Sequence, residues 1–140
     1  MNFKEAFVAI ERRLSEMNEA YHRPVFDEWA VVDLSTKEDR VLQYLGPREH
    51  EFEETFARDF QKLRAFSDGG KRTAGQFEFV RDAEGTEIDA FIVLGEGIFL
   101  VCNNTDRTVE EIADDVSWSA AQAPFLDLAE GFRQDPLAIP

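Results

Sequence analysis

The stretch Glu87 to Asn103 constrains this chain more than any other. It reads Glu-Ile-Asp-Ala-Phe-Ile-Val-Leu, then Gly95-Glu96-Gly97, then Ile-Phe-Leu-Val-Cys-Asn. Two apolar runs around a glycine-rich turn form a hairpin signal, because glycine supplies the positive φ that tight turns need. Neither run alternates polar with apolar residues. Phe91, Ile92, Val93 and Leu94 are apolar on both strand faces, and so are Ile98, Phe99, Leu100 and Val101. A strand that is apolar on both faces must be covered on both. The hairpin is therefore expected in the middle of a sheet, with helices above and below.

The segments before it fit that frame. Asn2 can cap a first helix, in which Phe3, Phe7, Ile10, Leu14 and Met17 form one stripe. That helix should end near Asn18 to Tyr21, ahead of Pro24. Val25 to Leu34 reads as a strand and Ser35 to Asp39 as a polar turn. Arg40 to Leu45 reads as a more polar edge strand. After Gly46-Pro47, a second helix runs from Arg48 to Phe66, with Phe52, Phe56, Phe60, Leu63 and Phe66 on a face about 120° wide. Ala74 to Val80 alternates Phe77 and Phe79 with polar residues, the pattern of a half-buried strand.

Beyond the hairpin, Thr108 and Glu111 form a capping box. Val109, Ile112, Ala113, Val116, Ala120 and Ala123 share one face of the last helix, and its alanines favour close packing on the sheet. Pro124 should kink or restart it before Phe125, Leu128 and Phe132. The expectation is a single domain over residues 1–133 and a loose tail over 134–140. The fold class is α+β, a five-stranded antiparallel sheet between helices in the order α-β-β-α-β-β-β-α. The outer helices lie on one face and the middle helix on the other.

Charge narrows the partners. A net −14 argues against nucleic acid, whose phosphates require a basic face, and against an anionic membrane surface. No run reaches ~18 apolar residues and no basic-then-apolar leader opens the chain, so a cytoplasmic protein is expected. The single cysteine, Cys102, allows no disulfide within the chain and reads as a buried core thiol.

Little in the sequence carries chemistry. His22 and His50 have no second His or Cys at a ligand spacing. Gly95-Glu96-Gly97 precedes a strand and not a helix, so it is a turn and not a phosphate loop. Asp89, alone in its apolar run, is either a tuned acid or, more in keeping with such a position, a group facing a sheet edge, a helix cap or a basic partner. Glu110, Glu111, Asp114 and Asp115 complement a helix N-terminus, with cation binding as the other reading. Arg64, Lys71 and Arg72 make the one dense basic spot. Trp118 lies about 180° from Val109 on a helical wheel, and either anchors an interface or is covered by the tail. No catalytic residue, metal site or cofactor is indicated.

The element order, the length and the run from Phe77-Glu78-Phe79 through Gly95-Glu96-Gly97 to the last helix resemble the Roadblock/LC7 group of the profilin-like fold. The resemblance spans nearly the whole chain and rests on pattern. It implies a non-enzymatic homodimer that serves as an interaction or scaffold module, including as a regulator of a small Ras-like GTPase. It also implies pairing of third strands across a twofold axis, with the middle helices near that axis. Carried over by position, that surface is Ala74 to Val80 and Arg48 to Phe66, with Glu53, Glu54, Ala57, Arg58, Gln61, Phe77 and Phe79 as contact residues.

Two other classes share part of this description. Secretion-type chaperones are small, acidic and dimeric, but they place three strands before the middle helix and two after it. Sensor domains of the PAS or GAF kind share the antiparallel sheet, but need a longer helical excursion between the second and third strands to wall a pocket. An enzyme without a recognisable motif also remains open.

Overall fold

The computed structural model describes residues 1–21, 24–35, 40–47, 57–81, 88–104 and 116–138, the side chains at 57–59, 81, 88 and 116–118 excepted. Helix α1 spans Phe3–Ala20, β1 Glu28–Asp33, β2 Arg40–Leu45, α2 Ala57–Ser67, β3 Phe77–Arg81, β4 Ile88–Gly95, β5 Ile98–Asn103 and α3 Val116–Gln134. The strands form one five-stranded antiparallel sheet in the order β2-β1-β5-β4-β3. The apolar hairpin, β4–β5, lies inside the sheet as its composition required. β2 and β3 are the edges.

Both faces of the hairpin are covered. Ile92, Leu94, Ile98 and Leu100 join a core with α1 and α3, through Ile10, Leu14 and Met17 on one helix and Phe125, Leu128 and Phe132 on the other. Phe91, Val93, Phe99 and Val101 face Leu63 and Phe66 of α2. Residues alternate between these two cores along each strand, as the strand period dictates.

Local chemistry fixes the ends. Asn2 caps α1 in a full capping box, its side chain accepting from the Glu5 N–H while the Glu5 carboxylate accepts from the Asn2 N–H. β1 begins three residues later than its apolar run. Asn18 Oδ1 accepts from the N–H groups of Val25 and Phe26, and Asn104 Nδ2 donates to the carbonyls of Pro24 and Val25. Side-chain amides thus meet the backbone needs of residues 24–26 without a strand ladder.

Three expectations change. The buried face of α3 is Ala121, Phe125, Leu128, Ala129 and Phe132, while Ala120 and Ala123 face solvent. Burying Phe125, Leu128 and Phe132 is worth more than burying methyl groups, so the large side chains set the helix phase. α3 also continues through Pro124 without a restart. The bond that proline removes would end on the carbonyl of Ala120, an exposed residue whose oxygen water can reach. Finally, residues 135–138 are held in place. Leu137 is buried, its N–H donates to the Leu94 carbonyl at 2.8 Å, and the Ala138 N–H donates to the Met1 carbonyl at 3.0 Å. Gly95 permits this approach, because a methyl there would overlap the Leu137 carbonyl oxygen. The proposed capping box at Thr108 and the acid cluster 110–115 lie outside the described residues.

Candidate interaction surface

β3 has a strand neighbour on one side only among the described residues. Its inner side is fully engaged, from Phe77 against Ile92 to Arg81 against Ile88. Gly75 N–H to Val93 and Val93 N–H to Gln76 extend that ladder by two bonds. Its outer side carries the row of backbone donors and acceptors that an edge strand presents to a partner strand.

Alternation divides the β3 side chains between faces. Phe77 and Phe79 lie on the α3 face, with ring centroids 5.7 Å and 4.7 Å from Phe125. Phe79 is half-buried there, and Phe77 is 37% exposed at the edge. Leu126, 42% exposed on the next α3 residue after Phe125, is a further apolar side chain left to solvent. On the α2 face, Val80 packs against the second core. Glu78 there accepts from Arg72 Nη2 at 3.2 Å, and the Arg72 guanidinium lies 4.5 Å from the centre of the Phe66 ring.

The contact residues carried over by resemblance are described to differing degrees. Gln61 is exposed on α2. Ala57 and Arg58 belong to the first turn of α2 and Trp118 to the first turn of α3, all without a described side chain. Glu53, Glu54, His22 and His50 lie outside the described residues.

Beside the edge, a row of buried polar groups crosses the α2 face of the sheet. Asp89 on β4 accepts from Lys62 Nζ of α2 at 2.8 Å, so its basic partner is intramolecular. Asn103 on β5 pairs in register with Glu28 on β1 and donates through Nδ2 to its Oε1 at 3.0 Å. The Tyr44 hydroxyl of β2 donates to Glu28 Oε2 at 2.6 Å. Such charges persist in a core only when paired. Of this row, sequence patterning singled out Asp89 alone. Glu28 and Asn103 sit at strand ends, where a polar residue carries no signal of burial.

Cys102 is fully buried, and burial pushes its thiol well above the ordinary range, with the Asp89 carboxylate adding to the effect. A thiol so held is a core side chain and not a nucleophile at neutral pH. Among the described residues, no three His, Cys, Asp or Glu side chains gather as a metal-binding group, and no helix is long and apolar enough to cross a membrane.

No family model matches the chain, and no curated protein matches its sequence. Among solved structures, Myxococcus xanthus MglB aligns with a TM-score of 0.53 and 10% identity, covering 94% of this chain and 94% of that one. At that identity the likeness is one of fold. It extends over the helices and the sheet together, and the chain accordingly has an α+β, profilin-like fold that distantly resembles the Roadblock/LC7 group.

Proposed function

We propose that this protein is a non-catalytic, homodimeric interaction module that regulates or scaffolds a protein partner, a small Ras-like GTPase being the specific form of that reading. The observation that carries it is β3, an edge strand among the described residues, with Phe77 exposed on it. A second copy placed antiparallel on β3 satisfies its outer backbone groups and covers Phe77, joining two sheets into one. The fold shared with MglB supports the reading, because members of the Roadblock group that this chain resembles assemble through the same two elements. The order of two strands before α2 and three after it favours this class over a secretion-type chaperone.

The first test is solution mass by size-exclusion chromatography with light scattering across micromolar concentrations. A species near twice the 16.0 kDa chain is expected, and Phe77→Lys or Arg58→Glu should shift it towards the monomer. A monomer at every concentration removes the homodimer. The GTPase form is tested by adding the dimer to a co-encoded Ras-like GTPase. Faster hydrolysis or nucleotide exchange is expected, and absence of binding leaves the scaffold reading alone.

A further inference from the structure

The direction of each backbone group in β3 follows from its ladder to β4. The Val93 N–H donates to the Gln76 carbonyl, so Gln76 bonds inward. In an antiparallel ladder, residues bonded to the neighbouring strand alternate with residues whose N–H and C=O point away from it. The register runs from Phe77 against Ile92 to Arg81 against Ile88. Glu78 and Val80 therefore bond inward to β4, and the main chains of Phe77, Phe79 and Arg81 point to the outer side. Gly75 and Gln76 offer no donor on that side, because their N–H groups go to the carbonyls of Val93 and Thr73.

A twofold axis across this edge sets β3 antiparallel to its copy, and outward residues must then face outward residues. The central axes that satisfy this pass through Glu78, Phe79 or Val80. Only the axis through Phe79 gives all three outward residues a partner within β3: Phe79 meets its own copy, Phe77 the partner's Arg81, and Arg81 the partner's Phe77. The other two axes keep two such pairs. The Glu78 axis also sets that carboxylate directly opposite its own copy, and like charges so placed are destabilising. The Phe79 axis instead sets Glu78, held by Arg72 at 3.2 Å, opposite the partner's Val80. Strand pairing uses the main chain, so the Phe79 ring keeps its place 4.7 Å from Phe125.

We propose, on the homodimeric reading above, that two copies of β3 join in this one register, with the twofold axis through Phe79.

The test is disulfide trapping in the full chain, whose native Cys102 is fully buried and out of reach. In this register Glu78 and the partner's Val80 form a non-hydrogen-bonded pair, with Cα atoms about 4.5 Å apart, inside the span that a disulfide bridges. The strand rise places each of these residues about 8 Å from its own copy, beyond that span. Oxidation of co-expressed Glu78→Cys and Val80→Cys chains should therefore link position 78 to position 80, about tenfold or more above either variant alone. Non-reducing electrophoresis and peptide masses read the linkage. Phe77→Cys with Arg81→Cys repeats the test from the other face of the strand if a first variant loses its circular dichroism spectrum. Linkage of Glu78→Cys or Val80→Cys to itself above the mixture overturns the register. So does the absence of linkage in a protein that light scattering finds dimeric, and in both cases the homodimer stands. A monomer at every concentration overturns the homodimer and the register with it.

Discussion

Asp33 sits at the end of β1 with almost none of its surface exposed. Burial raises its pKa, but hydrogen bonds from the Ser35 hydroxyl and N–H and from Arg40 outweigh it and hold the carboxyl below its ordinary value. A carboxyl depressed in the folded state stabilises the protein above the unfolded value, and that contribution is lost as pH falls through the folded one. Ser35→Ala should therefore lower stability at pH 7 and flatten the loss of stability below about pH 4, as read from urea midpoints across pH. At Gly95 the argument is steric. Gly95→Ala should drive Leu137 from its site and cost about 1–3 kcal/mol, the scale of a core overlap, with residues 135–138 becoming open to proteolysis. The Lys62–Asp89 pair gives a third case. Lys62→Met removes the ammonium that faces the buried Asp89 carboxylate, and should destabilise more than the double change Lys62→Met with Asp89→Leu, because a buried charge that loses its ion pair costs more than an apolar pair. A double-mutant cycle in urea reads the difference.

Among the elements, α3 teaches most about what a sequence reveals. The β4–β5 hairpin was legible because residues 91–94 and 98–101 leave no polar face, and the antiparallel pairing of consecutive strands followed from short turns, whereas the β1–β5 pairing did not. The phase of α3 was not legible, because small alanines and large aromatics suggest different stripes and only contact with the sheet decides between them. The docked tail was equally hidden. Leu137 is one apolar residue among prolines, and its site exists only because Gly95 lies bare on a strand far away in sequence. For the candidate surface, the half-buried character of β3 could be read from alternation at Phe77 and Phe79. The Arg72–Glu78 pair and the Glu28–Asn103 bond depended on register, which no local pattern contains. Pro124 carries an element-level prediction. It removes one helical bond inside α3, so Pro124→Ala should raise stability by about 1–3 kcal/mol, seen as a higher thermal midpoint. An unchanged or lower midpoint would mean that the ring itself is needed for packing.

The molecule as a whole joins two sets of local strands. β1 and β2 form one hairpin, and β3, β4 and β5 form a meander. Within the sheet, among the described residues, the six residue pairs from Glu28–Asn103 to Asp33–Ile98 join the first set to the second. Closing that link from Asp33 to Ile98 costs roughly 4 kcal/mol of loop entropy, by logarithmic scaling over some 65 residues. Hairpins form in about 1–10 μs, so this closure, and not hairpin formation, should set the folding rate. The same seam makes the protein a lock of two pieces. A chain broken between β2 and α2 keeps the β1–β5 ladder and the packing of α1 on α3 intact. Its halves, expressed together, should reassociate into one particle with the native circular dichroism spectrum, and the break point becomes a natural place to split this protein into a reporter that reassembles on contact.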